Sequence, residues 1–377
     1  MLKLDSVTKR FGKTVAVQQL TLDCAINEFV VIFGPAGAGK STTLRLIAGI
    51  IKPSEGDIYL HGHALTGVPP ENRNMSMVFE NYALYSHLTV YDNLAFPLRA
   101  HKVKSQEIKQ RVQDMAEVLQ IAPFLQRRPG FLSGGQRQRV ALGRALIRDA
   151  DVYLLDEPIS HLDAKLRHRM RGELKAICAK KEATVMHVTH DYREAMALSD
   201  RIAVINMGRL MQFGTPDEIF HYPQNEFVAS FVGEPPMSFL DVAYIEEGGK
   251  AAFQVEGSDI RLTIGDHEKS AIKQRVLPKQ FRVGVRAKEI TVAYEPDTTH
   301  TIPTEVYVIE TLGHRNIVTT RIGADQIKVI TSPDVKLKVR DTIYLDIQSG
   351  RYHLFGDGIA FCHPVRQSQQ LAEEIGG

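Results

Sequence analysis

The sequence is poor in cysteine, with three in 377 residues: Cys24, Cys178 and Cys362. They lie far apart, cannot all pair and match no metal-binding spacing. This speaks against a cysteine metal site and suits a reducing compartment. We interpret all three as small packing residues.

Long apolar runs and an excess of one charge are also missing. No stretch approaches the ~18 apolar residues that a membrane-spanning helix needs, and Met1–Asp5 lack the regions of a signal peptide. These absences predict a chain that stays in the cytosol. Lys plus Arg number 46 and Asp plus Glu 44, so the charge gives no reason to expect a nucleic-acid partner. The arginine-rich stretches 136–148 and 165–171 have helical spacing, and we interpret them as solvated helix faces.

The length predicts two or three domains. Up to about residue 232, β-rich runs alternate with helical patterns, which predicts a parallel sheet flanked by helices. The Gly- and Pro-containing segment 233–236 breaks the pattern, and short strand-like runs follow it. They include 281–285, 290–294, 316–322, 326–330 and 342–348. We therefore expect one domain over 1–235 and a small antiparallel barrel or sandwich over 236–377.

A glycine-rich loop follows the apolar run Phe29–Phe33 and precedes a predicted helix over 40–50. It matches the pattern G-x-x-x-x-G-K-[ST], in which glycines let backbone N–H groups turn inward around an anion. Lys40 adds a point charge, the helix directs its positive dipole end to the same place, and Ser41 is placed to hold Mg²⁺. The predicted phosphate-binding residues are Gly34, Pro35, Ala36, Gly37, Ala38, Gly39, Lys40, Ser41 and Thr42.

Three further segments carry candidate functional residues. One precedes a predicted helix, and its two glycines predict another anion-binding helix start; it consists of Leu132, Ser133, Gly134, Gly135 and Gln136. The apolar run Val152–Leu155 leads into Asp156 and Glu157. A turn at the end of this strand would let Asp156 reach Mg²⁺ and Glu157 reach a water molecule. His190 ends the strand-like run 184–189.

At these residues the sequence resembles the ATP-binding cassette (ABC) ATPases. The glycine-rich loop is similar to their Walker A motif, 132–136 to the signature sequence, 152–157 to Walker B and His190 to the switch histidine. The segment 160–163 resembles the D-loop, and Phe11 resembles the aromatic residue that stacks on adenine. The resemblance implies an α/β fold: a P-loop ATPase core with antiparallel β and helical subdomains, followed by an all-β, OB-like barrel domain.

The resemblance also implies that two such subunits close head to tail around two ATP molecules. Each site would pair the phosphate loop of one chain with the signature helix of the other. Lys40 would bind the β- and γ-phosphates, and Ser41 and Asp156 would hold Mg²⁺. Ser133 and Gly135 would reach the γ-phosphate across the dimer.

Catalysis and the remaining nucleotide contacts follow from the same resemblance. Glu157 would act as general base on the attacking water, and His190 would hold the γ-phosphate and that base in register. Further nucleotide-binding residues by motif are Gly134, Gln136 and Asp163.

One position departs from the family pattern. Glu80 stands where family members carry a glutamine that contacts Mg²⁺ and the water. A carboxylate ~4 Å from a phosphate charge would cost roughly 4 kcal/mol at an effective dielectric of ~20, unless a metal or proton offsets it. Glu80 is therefore either an isosteric metal ligand or the mark of an altered site that works beside a different ATPase in a heterodimer. Because Glu157 and His190 are intact, we favour an active enzyme.

The segment 75–98 resembles the surface on which importer ATPases bind their permeases. An exposed aromatic and aliphatic cluster of this kind needs a partner. Similarity to the sugar-importer branch, of the maltose and glycerol-3-phosphate type, extends along the chain. It includes 214–216, 231–233, 235–237, 283–286 and 311–313. The resemblance therefore implies an ATPase subunit of an importer for a sugar, polyol or sugar-phosphate-like solute.

Such a subunit would lie at the cytoplasmic face of the inner membrane. Its partners would be two transmembrane permease subunits, a second ATPase subunit, identical or different, and an extracytoplasmic solute-binding protein reached through the permeases. Three alternatives stay open: an importer of polyamine, iron or oxyanion, a soluble ABC ATPase of DNA repair or translation, and a nucleotide-binding regulator without turnover.

Overall fold

The computed structural model describes residues 1–248, 250–273, 278, 280–295 and 301–364. The chain divides into two compact units, Met1–Pro216 and Asp217–Gly377. This division falls before the segment 233–236. The helical turns that precede this segment are tied to the second unit, because Arg286 donates hydrogen bonds to the carbonyl oxygens of Phe220, Ala229 and Val232. The domain limits 1–235 and 236–377 stay a prediction.

The first unit alternates strands and helices. In chain order these are β1 (Leu2–Phe11), β2 (Thr14–Cys24), β3 (Phe29–Phe33), α1 (Lys40–Ile47), β4 (Glu55–Leu60), β5 (His63–Ala64), β6 (Met75–Val78), α2 (Val90–Ala100), α3 (Ser105–Val118), α4 (Gly134–Leu146), β7 (Val152–Asp156), α5 (Ala164–Lys180), β8 (Thr184–Thr189), α6 (Tyr192–Leu198), β9 (Arg201–Asn206) and β10 (Arg209–Gly214). Short 3₁₀ helices cover Pro70–Asn72, Ala122–Phe124 and Pro129–Phe131.

The central sheet of this unit has the strand order β10-β9-β3-β8-β7-β6. Its strands are parallel except for β10. All residues of β3, β7 and β8 are buried, as expected for strands covered on both faces. The strands predicted from apolar runs are present. Because parallel strands end at one edge, the segments that follow β3, β6, β7 and β8 meet there.

An antiparallel sheet and a helical part complete the first unit. The sheet has the order β2-β1-β4-β5. In the helical part, a Cβ on Gly143 of α4 would lie 2.7 Å from Leu119 and 2.9 Å from Leu94 of the neighbouring segments. A larger residue would therefore require these leucine side chains to shift. The predicted P-loop core with antiparallel β and helical subdomains is confirmed.

The second unit is mostly antiparallel β structure. Its elements are α7 (Pro216–His221, which begins at the boundary), α8 (Glu226–Phe231), β11 (Ser238–Glu247), β12 (Lys250–Val255), β13 (Arg261–Thr263), α9 (Asp266–Lys273), β14 (Phe281–Val285), β15 (Thr291–Ala293), β16 (Ile302–Thr311), β17 (Asn316–Ile322), β18 (Asp325–Thr331), β19 (Thr342–Asp346), β20 (His353–Gly356) and β21 (Ile359–Cys362), with a 3₁₀ turn at Ala287–Glu289.

These strands form two antiparallel sheets, β13-β12-β11-β14-β20-β21 and β15-β19-β16-β17-β18. One buried cluster, with Val242 and Val283 from the first sheet and Val318 and Leu345 from the second, fills the core of the unit. The predicted C-terminal β domain is thus confirmed. The sequence did not predict α9. Of its residues only Glu268 and Ile272 are buried, so it shows no apolar period.

Among the described residues, no helix has both the length and the apolar character needed to cross a membrane.

Candidate active site

The glycine-rich loop joins the end of β3 to the start of α1. Gly39 has a φ of 101°, and a Cβ atom there would lie 2.4 Å from the carbonyl oxygen of Ala16. Glycine is therefore required at this position. The N–H of Ala38 donates to the carbonyl oxygen of Pro35 at 3.2 Å, which closes the turn. The loop thus ends at the positive end of α1, where an anion is stabilised.

Lys40 lies over this loop and is 7% exposed. Its Nζ donates to the carbonyl oxygens of Gly34 at 2.9 Å and Pro35 at 2.8 Å. Burial lowers the pKa of Lys40, while the negative charges of Glu157, Asp156 and Glu80 oppose that effect. The ammonium group is therefore held at the mouth of the phosphate loop and faces three carboxylates.

Ser41 and Asp156 meet beside the loop. Asp156 ends β7 and is 1% exposed, and Ser41 Oγ donates to its Oδ1 at 2.9 Å. Burial raises the pKa of Asp156, the bond from Ser41 lowers it, and the charges of Glu80 and Glu157 raise it. A divalent cation at this point would relieve the cost of the buried charge, because hydroxyl and carboxylate oxygens are the ligands that Mg²⁺ prefers.

Glu157 leaves the strand in an unusual conformation. Its φ is 48°, in the left-handed region, so its side chain departs from the alternation of β7. The surroundings hold this turn: Glu157 N donates to the carbonyl oxygen of Val188 at 3.1 Å. Its own carbonyl oxygen accepts bonds from Gln138 Nε2 at 2.9 Å and from Ser160 Oγ at 3.1 Å. The buried Gln138 was not identified from the sequence, since it lies two residues beyond the signature segment and belongs to no motif.

His190 faces Glu157 across the sheet edge. Its Nδ1 lies 2.8 Å from Glu157 Oε1, and the side chains of the two residues are 59% and 19% exposed, respectively. Behind them lies a buried pair that the sequence did not reveal, in which Thr189 Oγ1 donates to Glu194. The N–H of Asp191 donates to the same Thr189 oxygen at 3.0 Å. The chain that carries His190 is therefore fixed on both sides.

Glu80 follows β6 at the same edge and is exposed. Its charge raises the pKa of both Lys40 and Asp156. The segment after it is held by Arg144 of α4, which donates to the carbonyl oxygens of Tyr82 at 3.1 Å and Ala83 at 2.8 Å. Glu80 is thus within electrostatic reach of the predicted metal and phosphate positions.

The signature residues lie at the start of α4. Ser133 and Gln136 form a reciprocal cap: Ser133 N donates to Gln136 Oε1 at 2.8 Å, and Gln136 N donates to Ser133 Oγ at 3.3 Å. Gly134 and Gly135 form the first turn. In the described part of the chain, no hydrogen bond joins these residues to the phosphate loop.

Two predicted nucleotide contacts have other partners within the chain. Asp163 caps α5, since its Oδ1 accepts a bond from the N–H of Leu166 at 2.9 Å. Phe11 is 50% exposed at the end of β1, with the Nζ of Lys9 5.0 Å from its ring centre. An exposed ring at this place is available for stacking. The roles of both residues stay predictions.

The arrangement defines a class of protein. The site combines a glycine loop between β3 and α1, a buried aspartate at the end of β7 in the same sheet, and a glutamate–histidine pair at the same edge. These are the parts of a P-loop nucleoside triphosphatase. Comparison with known proteins is more specific. A sequence model described as "ABC transporter" matches residues 17–160.

Relatives match over nearly the whole length. The trehalose/maltose import ATP-binding protein MalK of Thermococcus litoralis is 42% identical over 378 residues, covering 94% of this chain and 96% of the relative. The sn-glycerol-3-phosphate import ATP-binding protein UgpC of Escherichia coli is 40% identical, covering 94% of this chain and 97% of the relative. A dimeric ATP-binding cassette bound to ADP and Pi superposes with a TM-score of 0.54 at 30% identity, covering 57% of this chain and 99% of that one.

The chain belongs to the ABC transporter family. It binds ATP and is the ATPase component of an import system. The predicted family and enzyme class are confirmed.

Proposed function

We propose that the transported solute is a sugar, a polyol or a sugar-phosphate-like compound. The support is the extent of the similarity: relatives named for trehalose/maltose, sn-glycerol-3-phosphate and oligosaccharide import match 93–94% of this chain, and so include its second unit. A match confined to the cassette would favour no solute class.

At the ATP site we assign the roles that the residues can perform chemically. Lys40 binds the β- and γ-phosphates. Ser41 and Asp156 would hold Mg²⁺, and Glu80 would be a further ligand. The loop requires glycine at Gly39, where a Cβ would collide with the carbonyl oxygen of Ala16. This loop fits phosphate, and the oxygen ligands of Ser41 and Asp156 fit Mg²⁺. Among the described residues no three His, Cys, Asp or Glu side chains are arranged to hold a metal, which suits an ion that shares its ligands with phosphate.

For hydrolysis, the chain supplies a base and its support. Mg²⁺ neutralises charge on the phosphates when bound. Glu157 accepts the proton of the attacking water at a carboxylate oxygen, and the contact of His190 with Oε1 orients that carboxylate. The left-handed backbone at Glu157 takes its side chain out of the alternation of β7, and its carboxylate contacts His190 at the edge of the sheet.

We further propose a dimer of two ATPase subunits on two transmembrane permeases at the cytoplasmic face of the inner membrane. An extracytoplasmic binding protein delivers the solute. The similarity to a dimeric ATP-binding cassette supports a composite site. In it, Ser133, Gly134, Gly135 and Gln136 would reach the ATP held by the second subunit.

Purification of tagged Glu157→Gln protein from its host's membranes with ATP and Mg²⁺ tests this proposal. Without the general base, the ATP-closed complex should persist, so polytopic permeases are expected to co-purify and to be identified by mass spectrometry. A second, different ATPase among them would support the heterodimer interpretation of Glu80. Soluble partners alone would contradict the assignment to an importer.

Glu80→Gln should shift the acidic limb of the kcat/KM profile for ATP to lower pH. The charge of Glu80 raises the pKa of Asp156, so its removal lets Asp156 ionise at lower pH, and kcat/KM reports the free enzyme. Steady-state hydrolysis between about pH 5 and 8 provides the measurement. Glu71→Gln, an exposed glutamate in the turn Pro70–Asn72, is the matched control. If the Glu80→Gln profile matches the control, Glu80 exerts no charge effect on the site.

A further inference from the structure

The second unit contains a cavity of about 350 Å³, apart from the ATP site. Three segments line it: 220–222 at the end of α7, 286–289 after β14, and the turn 350–353 that leads into β20. Its volume falls at the lower end of the ~300–1,000 Å³ typical of small-molecule sites. A small solute would therefore fit inside it.

The lining carries an excess of positive charge. Arg286, Lys288 and Arg351 face one carboxylate, that of Glu289, which leaves a formal charge of +2. Glu289 already lies 3.5 Å from the Nζ of Lys288. An uncharged ligand would leave this net positive charge of the lining without compensation, so an anion is the better occupant.

The pKa of His353, a residue in the wall of the cavity, is also affected by nearby positive charges. His353 is 3% exposed, and its pKa lies well below its ordinary value. The main cause is burial, and the charges of His363, Arg286 and His221 add to it. Of the neighbouring acids, Asp217 lies 3.8 Å from His221.

The cationic groups are held in place before any ligand binds. Arg286 donates to the carbonyl oxygens of Ala229 at 3.2 Å and Phe220 at 2.9 Å. The Phe220 ring lies beneath both Arg286 and Lys288, at 4.4 and 5.3 Å from its centre. This wall is therefore preorganised, which lowers the entropy cost of binding.

Arg351 stands on a fixed turn as well. Glu268, which is 1% exposed, accepts bonds from the N–H of Gly350 at 2.6 Å and from Ser349 Oγ at 2.9 Å. The Glu268 carboxylate therefore binds the turn 349–350. The Arg351 guanidinium forms no hydrogen bond or ion pair with any side chain in the described ranges. It is the donor most available to a ligand.

We propose that this cavity binds a small phosphate-bearing anion, either free phosphate or a phosphate monoester. The planar Arg351 fork matches phosphate oxygens bidentately, Lys288 supplies a second charge, and the rings of Phe220 and Tyr222 border space for the ester group. A polymer is disfavoured because the site is a recess of limited volume.

Calorimetric titration of the full chain with inorganic phosphate and with glucose 6-phosphate tests the proposal, in saturating Mg²⁺ and a non-hydrolysable ATP analogue so that the γ-phosphate position of the ATP site is filled as well. Binding of either probe, weakened by salt, is expected. Arg351→Gln should weaken it at least about tenfold, which corresponds to ~1.4 kcal/mol, and Lys288→Gln should also weaken it. Tighter binding of the sugar phosphate would assign the site to monoesters, and equal binding would assign it to phosphate.

A control variant locates the effect. Lys336→Gln removes an exposed charge elsewhere in the second unit and should bind the probes as the unmodified chain does. Melting temperatures would show that Arg351→Gln is folded. If neither probe binds, or if Arg351→Gln binds as well as Lys336→Gln, the proposal is wrong.

Discussion

Glu157→Gln is expected to reduce steady-state ATP hydrolysis by about 10²- to 10⁴-fold, the contribution of a positioned general base. An amide has the size of the carboxylate but does not accept the proton of the attacking water. The backbone of Glu157 would be unchanged, since its N–H and carbonyl contacts with Val188 and Gln138 do not involve the side chain. ATP binding should therefore persist while turnover is lost, as measured by phosphate release and by nucleotide titration.

The same variant should accumulate as an ATP-bound dimer, because the closed state no longer relaxes through hydrolysis. Size-exclusion chromatography with ATP and Mg²⁺ measures this directly. Glu71→Gln makes the same chemical change at an exposed site. This variant should retain activity, and its ATP-bound dimer should dissociate after hydrolysis. Substantial turnover by Glu157→Gln would mean that another group, such as Glu80, acts as the base.

The strand–loop–helix of the phosphate site could be predicted because its determinants are local. An apolar run, glycines at fixed spacing and a helical pattern follow one another in the sequence, and β3, the loop and α1 lie where these patterns placed them. The long-range meeting of Ser41 with Asp156 was also foreseeable, since parallel strands end at one edge.

Other features depend on tertiary packing that a single sequence does not reveal. The left-handed turn at Glu157 is stabilised by Gln138, nineteen positions earlier in the chain. Likewise, nothing in the sequence distinguishes Arg286 from any arginine at the end of a strand, yet it donates hydrogen bonds to the carbonyl oxygens of Phe220 and Ala229. Such side-chain to backbone bonds have no periodicity, so no pattern predicts them.

Lys40→Met should weaken ATP binding strongly and abolish hydrolysis. Methionine keeps the unbranched shape of the buried side chain but removes the charge and the donors that Lys40 now directs at the loop. Loss of one partner from a buried, charged contact costs about 2–5 kcal/mol, so the Kd for ATP should rise at least about thirtyfold. Fluorescent-nucleotide titration provides the measurement.

Lys109→Met, at an exposed position of α3, is the matched control and should bind ATP normally. Near-normal affinity in Lys40→Met would mean that backbone N–H groups alone hold the phosphates. The double variant Lys40→Met with Glu157→Gln separates the two roles. We expect Lys40 to act in ATP binding and Glu157 only in the later chemical step. The double variant should then form no ATP-dependent dimer, because the dimer closes only after ATP has bound.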